Sequence, residues 1–370
     1  MTKHTKRWLI WIPVGIITSI GLYFGVVILV AYLSDYKPGI KEPVVIVPQK
    51  AEKNIPSSES EFSLISWNIG YCGLGKEQDF FYDGGRMVSP TSEDYQKYIN
   101  GIFSFLSKVN YVDFIFLQEI DVNSKRSFYN NQIETFVEAL PNMSYAYALN
   151  YQVGYIPVPV LQPMGKVKAG MVTWSHYVPY QAERIGFDVN FEWWKRIFML
   201  DRCLVVTRHK LPSGKELVMI NLHNSAFDDE NILKPVELNA LKKLMMDEYN
   251  KGNFVVAGGD WNQNPPAFIP GTIRKEWNPT SIPHPIATDF LPSDWKWVFD
   301  PNIPSERFND RPFEKGKNKT TIIDFFVVSP NIKVHSVETI NLEFKYSDHQ
   351  PVLMTFDIAP KDSSAVESSN

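Results

Sequence analysis

Asn253-Phe-Val-Val-Ala-Gly-Gly-Asp260-Trp-Asn262 is an apolar, β-branched run of strand length that ends in a carboxylate and an amide. Its two glycines let the backbone lie close to whatever Asp260 and Asn262 face. A turn that merely needs Gly, Asp and Asn is the plainer alternative. The same design recurs on both sides. Ile65-Ser-Trp-Asn68-Ile-Gly70 puts an amide at a strand end, Phe114-Ile-Phe-Leu-Gln-Glu119 a carboxylate, and Val218-Met-Ile-Asn-Leu-His223 an imidazole suited to proton transfer near neutral pH. Thr321-Ile-Ile-Asp324-Phe-Phe-Val-Val328 holds an acid inside an apolar run, where an ionised carboxylate needs a cation or histidine partner. Tyr346-Ser-Asp348-His349-Gln-Pro351 supplies an acid and an imidazole ahead of the last apolar run.

Each site taken singly has a bland reading, such as a solvated strand end, a structural histidine or a surface turn. Together, six strand ends or interruptions each offer Asn, Glu, Asp or His. Oxygen donors without a cysteine or paired-histidine motif favour a hard ion, Mg2+ or Mn2+, over zinc.

Strands are predicted at Phe62–Trp67, Phe114–Leu117, Val218–Leu222, Phe254–Ala257, Ile322–Val328 and Val352–Phe356. Helical periodicity appears in Ile99, Ile102, Phe103 and Leu106 behind a Thr91–Asp94 capping pattern, in Ile133, Phe136, Val137 and Leu140, and in Leu238, Leu241 and Met245 before Gly252. Cys203–Thr207 and Glu216–Leu222 flank a hairpin turn at 210–215. The mixture predicts an α+β body, mainly antiparallel, spanning 61–359 with no repeat. Net charge is −4 and aromatic content 14%, so the chain is a folded protein without a global positive field for phosphate backbones. Cys72 and Cys203 are too few for a zinc site; a bridge between them and two buried thiols both stay open.

Residues 1–7 form a basic stub carrying Lys3, Lys6 and Arg7, and 8–34 contain no charged residue, enough for a transmembrane helix. The positive-inside rule puts the N-terminus in the cytoplasm and the body outside it. A cleaved signal peptide competes, but the run is long and Val30-Ala-Tyr-Leu33 lacks a small-residue cleavage pair. Residues 35–60, rich in Pro and Ser, predict an extended tether, and 360–370 a polar tail.

In order, Asn68, Glu119, His223, Asp260 with Asn262, Asp324, and Asp348 with His349 resemble the endonuclease/exonuclease/phosphatase superfamily, whose members include deoxyribonuclease I-like enzymes, neutral sphingomyelinases and inositol polyphosphate 5-phosphatases. The resemblance implies a four-layered α/β sandwich of two packed mixed sheets flanked by helices, and a metal-dependent phosphoesterase. It implies that Glu119 and Asp348 hold Mg2+ or Mn2+, that Asn68 and Asn262 orient phosphate and water, and that Asp260 positions or deprotonates the water. Asp324 would orient His349, and His223 would face the phosphate or leaving group. Trp261 stands where many relatives carry Phe. Arg126, Lys166 and Lys168, with Lys125, are candidates for a basic rim against nucleic acid or a lipid or inositol phosphate; solvated surface charge is the alternative. A catalytically silent binding module on the same fold is the rival function. Beyond the substrate and the membrane, no protein partner is implied.

Overall fold

Two parallel strand pairs organise the body. Glu61–Asn68 runs parallel to Phe114–Asp121, and Glu216–His223 parallel to Phe254–Asp260. Parallel neighbours need a crossover, and in both pairs a helix supplies it, Ser92–Lys108 and Leu233–Asn250. The first helix starts as its sequence predicts: the Asp94 amide donates to Thr91 Oγ1 at 3.1 Å, and Thr91 Oγ1 donates to the Asp94 carboxylate at 2.9 Å. These elements belong to a computed structural model that describes residues 3–52, 54–55, 61–189, 191–228, 231–282 and 284–358.

Each parallel pair sits inside a seven-stranded mixed sheet. The first sheet runs Ile332–Thr339, Val352–Ile358, Glu61–Asn68, Phe114–Asp121, Gly165–Ser175, Ser144–Ile156, Ile46–Val47. The second runs Lys41–Pro43, Gln181–Gly186, Cys203–Lys210, Glu216–His223, Phe254–Asp260, Asp324–Val328, Lys296–Val298. Alternation along the strands sends Phe62, Leu64 and Phe116 of one sheet against Met219, Val256 and Phe326 of the other. Burying each such side chain contributes about 1.5–3 kcal/mol. On the outer faces, Ile99, Ile102, Leu106 and Phe136 cover the first sheet, and Leu241 and Met245 the second. The result is the α+β, four-layered sandwich that the sequence predicts.

All six predicted strands form, although Ile322 and Ile323 precede Asp324–Val328. The expected hairpin pairs Lys210 with Glu216. Cys72 and Cys203 are free thiols buried in different clusters.

The predicted tether requires correction. Lys41–Pro43 pairs with Gln181–Gly186, Ile46–Val47 pairs with Ser144–Ile156, and Ile55 is buried between the sheets. Proline is tolerated on edge strands because one side of the strand needs no donor, so this Pro-rich stretch closes an edge of each sheet. Residues 56–60 and the expected tail at 360–370 lie outside the described residues. Ahead of the edge strands, helix Lys3–Ser34 contains a segment, Trp11–Leu33, of mean hydropathy 2.4, long and apolar enough to cross a membrane. That helix packs along strand Ser144–Ile156.

Candidate active site

The carboxyl ends of both parallel pairs lie on one edge of the sandwich, and their antiparallel neighbours begin there. Asp260 is in register with His223 on one neighbouring strand and with Asp324 on the other. Across the sandwich, Asn68 is in register with Gln118, next to Glu119, while Val352, three residues after His349, is in register with Ser66. Strand register alone therefore brings the separated motifs to one cleft. Gly259 is required for this: its φ is +143°, and a Cβ there would lie 2.0 Å from the Leu222 carbonyl oxygen.

Asp260 Oδ2 is the hub. Asn68 Nδ2 donates to it at 3.0 Å, His223 Nε2 lies 3.3 Å away and His349 Nε2 3.7 Å away. Its Oδ1 accepts the Asn262 amide at 2.9 Å. Asn262 holds a left-handed φ of +48° and donates through Nδ2 to the Asn224 carbonyl at 2.8 Å, so its side chain is fixed at the cleft wall. Asn68 is fixed as well, its Oδ1 accepting the Gly70 amide at 3.0 Å.

Asp324 and His349 form a buried pair, Oδ2 to Nδ1 2.8 Å. Ser305 Oγ, accepting the Asp324 amide at 3.0 Å, steadies the strand start. Burial raises the Asp324 carboxyl above the ordinary carboxylate range, with the His349 charge pulling the other way. For His349, burial disfavours the imidazolium, but the carboxylates of Asp324, Asp260 and Asp348 outweigh it and hold the ring well above its usual value. His223 moves in the opposite direction. Burial, with the charges of Arg202 and His349, pushes it far down, so it stays neutral.

Glu119 reaches the cleft through a bulge. The register of Phe114–Asp121 against Gly165–Ser175 slips between Leu117 and Ile120, and Glu119 adopts φ +55°. Among the described residues its Oε1 meets Asn68 Nδ2 at 3.4 Å and His223 Nε2 at 3.9 Å. Lost solvation raises its pKa; Arg126 opposes the rise and Asp348 adds to it. Asp348 accepts from Asn309 Nδ2 at 2.5 Å and from Ser347 Oγ at 3.2 Å. Asn309 Oδ1, beside it, is buried with no hydrogen-bond partner among the described residues. Glu119 and Asp348 both line the cleft and repel one another electrostatically, and two such carboxylates beside an unpartnered amide oxygen fit a hard divalent cation. Asp260, Asp324 and His349 also offer ligand atoms within 4.8 Å of one another. There, however, Asp324 Oδ2 and His349 Nδ1 are hydrogen-bonded to each other at 2.8 Å, so binding an ion at those two atoms would have to break that bond.

The basic rim is only partly realised. Arg126 borders the cleft, but its guanidinium is bound to both oxygens of Asp121, at 3.1 and 3.0 Å, and lies 3.7 Å from the Tyr71 ring centroid. Lys166 and Lys168 are not among the cleft-lining residues. On their strand Val167 and Ala169 point into the core, so the alternating lysines take the other face. Lys125 instead donates to the Pro163 carbonyl at 2.9 Å.

Several cleft residues carry no sequence signal. Glu306 comes from a stretch without strand periodicity; burial pushes its carboxyl well above the usual range, and its backbone bridges to His349. Arg202 precedes strand Cys203–Lys210 and donates to the His223 carbonyl at 3.3 Å. Asn309 follows the two-residue strand Glu306–Arg307. An Asn or Arg in a loop is too common to single out before the fold places it.

The cleft has a volume of about 600 Å³. Its lining joins the polar groups from Asn68 to His349 with an apolar set, Phe187, Val189, Phe191, Phe198, Met199 and Leu200, interspersed with Asp188, Arg196, Asp201 and Arg202.

The family model for the endonuclease/exonuclease/phosphatase family matches residues 65–349. An endonuclease/exonuclease/phosphatase from Bacteroides vulgatus superposes with a TM-score of 0.52 at 16% identity, covering 81% of this chain and 100% of that one. ANGEL2, a 2',3'-cyclic phosphatase, superposes with a TM-score of 0.53 at 14% identity, covering 86% of this chain and 99% of that one. At such identities the structural likeness speaks for the fold alone. No curated protein sequence matches. The family match spans every strand end that builds the cleft, from Asn68 to His349, and the chain belongs to the endonuclease/exonuclease/phosphatase family.

Proposed function

We propose that the chain is a membrane-anchored, divalent-metal-dependent hydrolase of a lipid phosphoester, most simply a phosphodiester. The observation that carries the chemistry is the hub at Asp260 Oδ2, shared by Asn68, His223 and His349. Glu119 and Asp348 would hold Mg2+ or Mn2+, which when bound polarises a phosphoryl oxygen as a Lewis acid. Asp260 accepts the proton of the attacking water, with Asn68 and Asn262 fixing water and phosphate in line. His349, kept protonated by Asp324, donates a hydrogen bond to a non-bridging phosphate oxygen as charge builds there. Neutral His223 donates through its Nε2–H to Asp260 and keeps that carboxylate aimed.

The apolar part of the lining favours a lipid over nucleic acid. The four arginines lining the cleft are Arg126, Arg184, Arg196 and Arg202; Arg126 is held by Asp121, Arg184 by backbone carbonyls, and Arg196 by Asp35. A strand of nucleic acid would need a track of available cations. The charge-free run 8–34, preceded by Lys3, Lys6 and Arg7, supports a cytoplasmic N-terminus with the body on the other side.

The full-length protein in phospholipid nanodiscs, with Mg2+ or Mn2+, should be assayed against sphingomyelin, phosphatidylinositol, inositol phosphates, DNA and RNA beside Asp260→Asn. Lipid turnover that disappears in Asp260→Asn is the expected result. Turnover of DNA or RNA alone refutes the lipid assignment, and metal binding without turnover of any substrate returns the chain to a silent binding module.

A further inference from the structure

The body grips its own N-terminal helix below the helix end. Gly154 N–H donates to Ser34 Oγ at 2.8 Å, and Gln152 Nε2 donates to the Ser34 carbonyl at 3.1 Å. Ala31 is fully buried and Val27 is 4% exposed, and a Cβ at Gly154 would lie 3.1 Å from Val30 Cγ1. At 1.5 Å per residue, Val27 lies about 10 Å down the helix from Ser34. Val27, Val30 and Ala31 fall within the apolar span Trp11–Leu33, so part of the body sits at the depth of hydrocarbon whenever that span crosses a bilayer.

The part in question is the hairpin of Ser144–Ile156 and Gly165–Ser175. From Ser144 to Gly165 the sequence has no charged residue. Its tip leaves Val160 74% and Leu161 100% exposed, costly in water and favourable in lipid. A second apolar feature marks the interface level. The one-turn helix Trp193–Arg196 is fastened to Asp35, the first residue past the membrane helix, through Arg196 Nη2 at 2.5 Å. Trp193 and Trp194 are 62% and 51% exposed there, at the height where Trp side chains favour lipid headgroups.

We infer that the 157–161 tip and the Trp193–Trp194 pair form a bilayer-seating surface. The tip enters the leaflet beside the chain's own helix, and the tryptophans rest among the headgroups. The cleft then opens at the membrane surface, because the apolar part of its lining begins at Ile40 and passes through Phe187 and Phe198, next to that same helix exit. A lipid phosphoester would reach Asp260 with its chains still close to the leaflet. This inference rests on the membrane-anchored reading.

A test separates the two. The full chain carrying Leu161→Cys, in phosphatidylcholine vesicles, is labelled with a nitroxide; Cys72 and Cys203 are buried. Ser213→Cys, in an exposed turn, is the aqueous reference. Relaxation by oxygen should exceed relaxation by a water-soluble nickel chelate at position 161, and the reverse should hold at 213. Nickel-dominated relaxation at both positions, with the chain resisting alkaline carbonate extraction, overturns the seating surface and leaves the anchor standing. Extraction by carbonate overturns both. Val160→Asp with Leu161→Asp should leave turnover of a dispersed short-chain lipid unchanged and lower turnover of vesicle lipid at least about 10-fold; equal turnover of both refutes the seating role.

Discussion

Replacing Asp324 by Asn removes one charge from the 2.8 Å pair with His349 while nearly preserving volume. The Asn oxygen can still accept the Nδ1–H, so the ring keeps its orientation and the experiment isolates charge. A unit charge pair about 4 Å apart at an effective dielectric near 20 interacts by about 4 kcal/mol. Asp260 and Asp348 still favour the imidazolium in the variant, but burial, the largest influence on the ring, opposes it. Less protonated His349 is then available at neutral pH, and turnover should fall by roughly 10²–10³-fold, the range for a lost general acid or charged donor.

The direction of the pH effect follows from the raised native pKa of His349. Wild-type activity requires the protonated ring and is lost as pH rises through that value. In Asp324→Asn the ring gives up its proton at lower pH, so the alkaline limb of kcat moves down. The same linkage applies to stability: protonation of His349 contributes fully below the unfolded histidine value near 6.5, and the contribution is lost as pH rises through the native one. Steady-state kinetics across pH on protein shown to be folded by urea melts is the assay. Wild-type turnover with an unmoved alkaline limb would falsify the coupling and make Asp324 structural.

Glu119→Gln keeps shape but removes a metal-binding charge, so Mn2+ affinity measured by calorimetry should weaken about 10-fold or more, with partial rescue of turnover by excess Mn2+; unchanged affinity removes Glu119 from the metal site. Gly259→Ala places a methyl 2.0 Å from the Leu222 carbonyl oxygen and should cost more than about 3 kcal/mol in a denaturant melt, whereas a loss under about 1 kcal/mol would show that the close approach is not obligatory. A C-terminal alkaline phosphatase fusion should be active and a green fluorescent fusion dark if the body lies outside the cytoplasm; the opposite pair of results reverses the orientation.

The catalytic elements were legible because each combines two signals, strand periodicity and a polar end. Asn68, His223 and Asp260 close parallel strands, and His349 precedes a strand antiparallel to that of Asn68; this pairing, which local pattern did not show, is what gathers their ends at one edge. Glu306, Arg202 and Asn309 had no such second signal. Lys166 and Lys168 were misread for a related reason. Residues 165–175 form a long strand whose alternation turns both lysines away from the cleft, in line with the solvated-charge alternative and invisible in a local count of basic residues.

The stretch at 35–55 was misread because composition measures what a segment can bury alone, not what a neighbour offers it. A Pro-rich run has too few apolar side chains to fold independently. Sheet edges supply a different driving force. Unpaired backbone groups of Gln181–Gly186 and Ser144–Ile156 accept three-residue and two-residue strands, while Ile55 and Val44 each add an apolar side chain to a core cluster. This changes the mechanics of the molecule. A tether of some 26 residues would let the body roam up to about 80 Å from a bilayer. Edge pairing at Lys41–Pro43, seven residues past Ser34, together with the Gly154–Ser34 hydrogen bond, fixes the body directly against the end of the helix. The same contacts that close two sheet edges thereby set the position and orientation of the cleft relative to the apolar N-terminal helix.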